Sequence, residues 1–544
     1  MVDILFGQSY YLKFDPKLWQ AMQPYPPLGT LYAASVARQQ GYSVALFDAM
    51  LAESEAEWEA ALAQHTPRFA IIYEDSFNYL SKMCLLAMRE AAFSMIEMAK
   101  RQNRIVILCG SDATDHAKSY LQAGADFVLL GEGEETLLEL LGVLDDPLPE
   151  GEGTVTKRTT SSSRGGELRR GHERFPQILG LAYTENGQFC QNQRRPVLSG
   201  IDGLPFPAWD LVDVEKYRQI WQTHHGYYSM NMVTTRGCPY HCNWCAKPIW
   251  GQRYHARSPH TVAAEMGWLQ ETYQPDHIWF ADDIMGLKPG WWAEFAAEVA
   301  AEGVKLPFKC LSRADLIVSR PENVPALRQA GCDIIWLGAE SGSQKILDGM
   351  EKGTAVAQIR QAARQLQDAG VKVGFFLQFG YPGETREDIE MTLQLVRDCL
   401  PDDIGISVSY PLPGTRFHER VQAQLGEQKN WVDSADLAMM YEGPFPTPFY
   451  RQLHTVLHKE FRARRGWLKL RQVAAKPAQW RLAHLPMHLR ELAAIGYRWG
   501  TLPLARWRLD RLATAVQHQA ETLPHMPLAQ SARPSPQPEV EGGD

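Results

Sequence analysis

The chain reads as an α/β protein: a doubly wound parallel sheet comes first, then a partial (β/α)6 barrel, then a helical C-terminal region. Three observations lead there. Short apolar runs alternate with helical stretches twice over, with a Gly-, Ser-, Thr- and Arg-rich segment between the two series. At 544 residues the chain is too long for one core, and a prior of roughly 150 residues per domain gives about three units. Hydrophobic residues make up 45% of it, with 16 Trp, 20 Tyr and 20 Phe, enough to bury several cores and too many for a largely disordered chain.

Within residues 1–145, Val2 to Phe6 is an apolar run read as the first strand, and Gly29 to Gln40 is a helix after the Pro24-Tyr-Pro-Pro turn. Tyr42 to Phe47 is the second strand, and a charged helix from Ala52 to Gln64 leads to the third, Phe69 to Tyr73. The helix Leu86 to Arg101 precedes Ile105 to Leu108, and Ala117 to Ala123 precedes Phe127 to Leu130. Strands joined through helices pair in parallel, and the ligand crevice of such a sheet lies at the carboxyl ends of its strands. The loops there are Gly7 to Tyr10, Glu74 to Asn78, Gly110 to Asp112 and Gly131 to Glu134.

Residues 146–225 are read as a flexible insertion and a connecting segment. The stretch Asp145 to Pro176, with Thr159-Thr-Ser-Ser-Ser-Arg-Gly-Gly166 inside it, has too little apolar surface to order itself. Leu179 to Asn186 opens a short hairpin at Asn186-Gly187, and Pro205-Phe-Pro-Ala-Trp-Asp210 leads onward. The second series fills residues 226–445, with strands at Met230 to Thr234, His277 to Phe280, Phe308 to Leu311, Ile334 to Leu337, Lys372 to Phe379 and Asp403 to Ser409. Six β/α units form a partial barrel with its site at the C-terminal mouth of the strands. Residues 446–522 read as helices studded with Trp and Arg, and 523–544 as a disordered tail.

From Arg451 to Arg511 fourteen Lys/Arg stand against three Asp/Glu, so this stretch carries about +11 in a chain of formal net charge −8. Trp467, Trp480, Trp499 and Trp507 lie among these arginines. One reading is a peripheral membrane surface or a seat for an acidic tetrapyrrole; the other is a helical cap whose arginines face solvent or the acidic body. Nucleic acid is not expected, because no recognised binding module accompanies the charge. No run approaches 18 apolar residues and Met-Val-Asp-Ile-Leu-Phe-Gly enters a strand without a basic leader, which points to the cytoplasm.

Nine cysteines at irregular spacing suit a reduced compartment. Three of them stand in Thr235-Arg-Gly-Cys238-Pro-Tyr-His-Cys242-Asn-Trp-Cys245, just after the first barrel strand. Three thiolates on one short loop can hold three corners of a cubane iron–sulfur cluster and leave the fourth iron open to activate a small molecule. The alternative is a structural zinc knuckle completed by His241 or His255, although such sites use two ligand pairs and no second pair is present. Cys84, Cys109, Cys190, Cys310, Cys332 and Cys399 read as buried small hydrophobes.

The spacing C-x3-C-x2-C ahead of a partial barrel resembles the radical S-adenosylmethionine superfamily. That resemblance implies a [4Fe–4S] cluster on Cys238, Cys242 and Cys245 as the catalytic metal centre, S-adenosylmethionine on its open iron, and an electron donor such as flavodoxin or ferredoxin. It also implies that Trp244 lines the adenine side and that Asp282 and Asp283 receive the cofactor's ammonium. Arg313 would meet its carboxylate, Glu340-Ser341-Gly342-Ser343 its ribose, and the turn Gly380-Tyr-Pro382-Gly383 its adenine. Helix caps and surface salt bridges are the plainer roles for these carboxylates and Arg313. Pro411-Leu-Pro-Gly-Thr415 fits a turn at the edge of the site.

Pro24-Tyr-Pro-Pro-Leu-Gly-Thr30, Ala125-Asp-Phe-Val-Leu-Leu-Gly-Glu-Gly-Glu-Glu-Thr136 and Leu204-Pro-Phe-Pro-Ala-Trp209 look like the cobalamin-binding branch of that superfamily. The branch includes anaerobic magnesium-protoporphyrin monomethyl ester cyclases and many methyltransferases. A corrinoid would then lie on the strand ends of the first sheet, facing the cluster. The Asp-x-His-x-x-Gly signature of a lower axial histidine is absent, since Asp115-His116 does not reproduce it, so cobalamin is expected without a protein histidine on cobalt; a vestigial sheet that binds no corrinoid is the alternative. The resemblance implies radical C-methylation of an unactivated carbon, and a barrel mouth with a Trp-rich cap suggests a large apolar substrate such as a tetrapyrrole or isoprenoid. Oxidative ring closure of a porphyrin ester is the alternative within enzymes, and a non-catalytic iron–sulfur redox sensor or scaffold the alternative outside them.

Overall fold

The computed structural model describes residues 1–78, 85–145, 174–426, 430–434, 436–475 and 485–520. The expectations for the 146–173 insertion, for the 523–544 tail, for Cys84 and for Trp480 lie outside the described residues. The first sheet has seven strands in the order β2-β1-β3-β4-β5-β6-β7. β1 (Ile4–Gly7), β2 (Val44–Leu46), β3 (Phe69–Tyr73), β4 (Ile105–Cys109) and β5 (Phe127–Leu129) pair in parallel. β1, β3, β4 and β5 are buried throughout, the continuous apolar run that helices on both faces demand.

β6 (Leu181–Glu185) and β7 (Gln188–Gln191) turn at Asn186-Gly187, both at positive φ. The sequence placed this hairpin in the connecting segment; it in fact extends the first sheet, with β6 antiparallel to β5. The reason is packing. Tyr183 meets Phe175, which meets Phe127, so the apolar face of the hairpin finds its partner on β5. Cys190, read as buried, sits half-exposed on the outer strand β7, whereas Cys109, Cys310, Cys332 and Cys399 are buried. A helix the sequence reading did not mark, Val214–His225, crosses the connecting segment; Asp213 caps it and Tyr217 and Trp221 are its buried face.

The second sheet runs β8-β11-β12-β13-β14-β15, all parallel. Its strands are β8 (Ser229–Met232), β11 (His277–Phe280), β12 (Phe308–Ser312), β13 (Cys332–Glu340), β14 (Lys372–Phe379) and β15 (Asp403–Val408). Side chains alternate. Ile278, Phe280, Phe308, Cys310, Ile335, Leu337, Val373 and Phe375 are fully buried, and Phe280 and Phe308 meet Phe295 of the helix Trp291–Ala301 edge to face. The other face, carrying Trp279, Lys309, Trp336 and Phe376, is the inner face of the half-barrel and stays partly open.

The two sheets share one core. Tyr25, Leu28 and Leu31 of the N-terminal half pack in the same cluster as Met230, Met232 and Phe280. The Pro24–Pro27 loop lies beside the barrel: Trp221 donates to the Pro24 carbonyl at 2.8 Å, and Asn231 to that of Pro26 at 3.0 Å. The C-terminal helices Thr447–Ala474 and Leu485–Ala520 form an antiparallel pair, since Gln452 bonds to Ala505 and Lys459 to Thr501. Among the described residues no helix is long and apolar enough to cross a membrane.

Candidate active site

The cysteine loop is held between β9 (Thr235–Arg236) and β10 (His255–Ala256), a short antiparallel pair in the register Arg236↔His255. Gly237 starts the loop at φ +82°, where any side chain would run into the Arg253 carbonyl. Asn243 pins its middle. The backbone N–H donates to Met350 O at 3.1 Å, Nδ2 to Gly349 O at 2.8 Å, and Oδ1 accepts from Tyr381 Oη at 3.2 Å. The loop is thereby fastened to the segments that follow β13 and β14.

Burial raises the Cys238 thiol above its ordinary range and pushes Cys245 up to about 12, with Lys247 pulling both back. Arg313 Nη1 approaches Cys242 Sγ at 3.9 Å, and the guanidinium stacks on the Tyr240 ring at 3.7 Å from its centroid. The Cys238 and Cys245 thiols are therefore held neutral, and the cations around them favour thiolates once iron replaces the protons. Among the described residues no three His, Cys, Asp or Glu side chains converge on one point as a mononuclear zinc site requires. His241 is exposed.

Asp282 does not lie open at the end of β11. Oδ1 accepts from the N–H groups of Thr234 and Thr235 at 2.8 Å each, and Oδ2 from Thr234 Oγ1 at 2.6 Å. Its carboxylate thus fixes the turn that leads into the cysteine loop, and burial raises it to about 6 against those bonds. Asp283 beside it is exposed and within electrostatic reach of Cys238 and Cys245.

Glu340 closes β13 at φ +55° and is buried against Lys352 Nζ at 2.9 Å. Arg313 is held by Asp315, by the Lys352 carbonyl at 2.7 Å and by Thr354 at 2.9 Å, so both cations are fixed in place. Ser341 is fully buried, its hydroxyl bonded to Thr392 and accepting from Ser343 N. Gly380 donates to Glu384 at 2.6 Å, and burial lifts that carboxyl to about 8. Pro382 and Gly383 are exposed. The Trp244 indole packs beside Met350, Tyr381 and Phe417, and its shielded Nε1 has no partner among the described residues.

Across the interface, Arg236 Nη2 reaches Glu134 at 2.8 Å and Nη1 reaches Glu132, with all three side chains buried. The motif Gly131-Glu-Gly-Glu134 after β5 thus grips the residue two places before Cys238. Neither the arginine nor these glutamates had a role in the sequence reading, although both lay inside quoted motifs.

Comparison with known proteins decides the assignment. Residues 232–396 match the Radical SAM superfamily and residues 20–141 the B12 binding domain. The chain is a radical SAM enzyme with a B12-binding domain. An uncharacterized methyltransferase of Pyrococcus horikoshii is 27% identical over 72% of this chain and 78% of its own. The anaerobic magnesium-protoporphyrin IX monomethyl ester cyclase of a Synechocystis strain is 24% identical over 64% of this chain and 63% of its own, so the match spans less than two thirds of that relative. The methyltransferase TsrM of Kitasatospora setae, solved with cobalamin and a [4Fe–4S] cluster, superposes with a TM-score of 0.60 over 77% of this chain and 78% of that one. At 16% identity that likeness is one of fold.

The residues of this radical SAM enzyme fit the groups its domains call for. Three thiols on one loop, with Lys247 and Arg313 beside them, are the donor set of a cluster with an open iron. Among the described residues the shielded indole N–H of Trp244 has no acceptor, a need that a group such as an adenine nitrogen would meet. On the first sheet, Gln8 Nε2, Glu74 Oε2, Ser111 Oγ and Glu134 Oε2 are buried without partners among the described residues, and all four stand on loops or helix starts that follow strand carboxyl ends. A polar-edged ligand such as a corrinoid answers such a set. Burial brings Glu74 up to about 7, so it can donate as well as accept. His116 lies 3.7 Å from Asp112 at the start of the helix Ala117–Gln122.

Proposed function

We propose that this enzyme transfers a methyl group to an unactivated carbon of a large, apolar, tetrapyrrole-like substrate. One observation carries the reading: the cysteine loop at the barrel mouth is clamped by Arg236 to the loop that follows β5 of the B12-binding sheet, which supports two cofactors acting side by side. When bound, the cluster and S-adenosylmethionine supply a carbon radical and cobalamin supplies the methyl group. Cys238, Cys242 and Cys245 bind the irons. Trp244 and the Gly380, Pro382, Gly383 turn flank the adenine, Asp283 takes the ammonium in place of the engaged Asp282, and Arg313 takes the carboxylate. Glu340 and the backbone beside Ser341 border the ribose.

Two relatives support the reading: one carries the name of a methyltransferase, which bears on the reaction, and the other that of a porphyrin ester cyclase, which bears on the substrate class. Anaerobic reconstitution tests the proposal. Iron and sulfide should bind at the cysteine triplet, reductant and S-adenosylmethionine should yield 5'-deoxyadenosine, and the product should gain one methyl group. A product with a new oxygenated ring and no methyl gain would establish ring closure instead, and zinc at the triplet would overturn both.

The reducing cytoplasm supplies the electron through a ferredoxin or flavodoxin in this reading. Exposed Trp467, Tyr497, Trp499 and Trp507 lie among the arginines of the C-terminal helices, which suits peripheral contact with anionic lipid. Cosedimentation with phosphatidylglycerol vesicles that falls steeply with salt is the expected result; none at low salt would exclude the contact.

A further inference from the structure

The inner face of the half-barrel carries an arrangement that has no part in either cofactor site described above. In one row across neighbouring strands stand Asn231 on β8, Trp279 on β11 and Lys309 on β12, since Asn231 registers with Trp279 and Trp279 with Lys309. The Lys309 ammonium lies 4.9 Å from the Trp279 ring centroid and 5.3 Å from that of Tyr25. Among the described residues it has no hydrogen bond or ion pair; the titratable groups within its electrostatic reach are Asp403 and His277. Burial draws it down to about 8, which leaves it cationic at neutral pH. Beside it Asn231 is 2% exposed, and among the described residues its Oδ1 is an acceptor without a partner. A cation and an amide oxygen left unanswered in an aromatic hollow are costly unless a ligand meets them.

Toward the mouth the same face becomes a flat aromatic floor. Trp336 and Phe376 stack at 4.6 Å with 27° between their planes. They lie against glycine: a Cβ on Gly374 would run into the Trp336 ring, and one on Gly405 would come within 3.0 Å of Phe376. Phe376 remains 38% exposed although it stands in the middle of a strand. Arg313, at the cysteine loop, follows Lys309 by four residues on one extended strand, a rise of about 13 Å.

We propose that this face is the substrate seat, taking a flat conjugated molecule that carries a free carboxylate: Lys309 anchors the carboxylate at the floor, and Trp336 and Phe376 support the ring system. Its far edge then reaches the cluster end of the barrel. Only the identification of the seat with substrate rests on the reaction proposed above; binding at the seat does not.

The test is equilibrium binding of protoporphyrin IX and its dimethyl ester to the full-length reconstituted protein without S-adenosylmethionine, followed by porphyrin fluorescence. The two probes share one ring system and differ in carboxylate charge. Wild type should favour the acid by about tenfold or more, the scale of one charge-assisted bond. Lys309→Met should abolish that preference and leave ester affinity unchanged, while Lys309→Arg should retain it. Trp336→Ala should weaken acid and ester alike, and equal melting temperatures would show that each variant folds. Equal binding of acid and ester to wild type, or a preference that survives in Lys309→Met, would overturn the anchor. Failure of wild type to bind either probe would overturn the conjugated ligand. Formation of 5'-deoxyadenosine by the same preparation reports separately on the radical reaction.

Discussion

At the scale of single residues, the acidic pair after β11 shows how one strand end divides labour. Asp282 spends both oxygens on Thr234 and Thr235 and so shapes the entry to the cysteine loop. Asparagine retains the oxygen that receives the two backbone N–H groups, and its amide can donate to the Thr234 hydroxyl. Asp282→Asn should therefore keep the loop and bind a full complement of iron. Asp282→Ala leaves two buried N–H groups unanswered, at about 1–3 kcal/mol each, and should lose both stability and iron. Iron content per chain with urea unfolding distinguishes the two; a drop in Asp282→Asn equal to that in Asp282→Ala would show that the carboxylate charge itself is needed. The sequence made this pair visible because two acids end an apolar run, but not which acid turns inward. That choice depends on where β8 places its turn, a contact between residues 48 apart. The triplet of cysteines was legible for the opposite reason: its whole meaning lies within eight positions.

At the scale of elements, the strand series was legible from alternating runs, whereas the edges were not. β13 runs on to Glu340 because the buried Lys352 draws its carboxylate inward, and β6 joins the first sheet through rings that are far apart in sequence. The C-terminal helix pair was legible as helical and cationic, yet the partners of its charges were not. Glu460 is the hub. It is buried on the helix Thr447–Ala474 and receives Arg397 from the helix Arg386–Cys399 at 2.7 Å, Arg464 from its own helix at 3.1 Å and Arg506 from the last helix at 2.6 Å. Burial alone would raise its carboxyl, but the bonds from Arg397 and Arg506 outweigh burial and bring it to about 2. A depressed native value gives stability that is complete above the unfolded value and is lost as pH falls toward the native one. Glu460→Gln should thus cost about 3 kcal/mol at pH 7, and its gap from wild type should begin to close below about pH 4.5. Urea titrations from pH 7 to 4 would read this; a gap independent of pH would mean that packing rather than charge holds the helices.

At the scale of the molecule, the question is what makes two cofactor domains one body. Apolar contact across the interface is extensive, with Tyr25 against Trp279 and Trp221 in the shared core. Several hydrogen bonds also cross it, and its buried ion pairs are those of Arg236, whose burial opposes its charge while Glu132 and Glu134 outweigh that cost. Because the arginine precedes Gly237 and Cys238, the clamp ties the position of the cluster loop to the loop after β5 on the other sheet. Arg236→Met would leave two buried carboxylates without their cation, a loss of about 3–5 kcal/mol. The loss falls on the interface, not on either sheet's own hydrogen-bond ladder, so the two domains should separate in calorimetry and melt in two transitions where wild type shows one. Adding Glu132→Gln and Glu134→Gln to Arg236→Met removes the stranded charges and should return most of the lost stability, since a buried ion triad and a neutral set of similar volume often balance. If Arg236→Met melted once, at the temperature of wild type, the apolar contacts alone would be joining the domains. The arginine would then be a local support of the cysteine loop, and its loss would appear in iron binding without any change in unfolding.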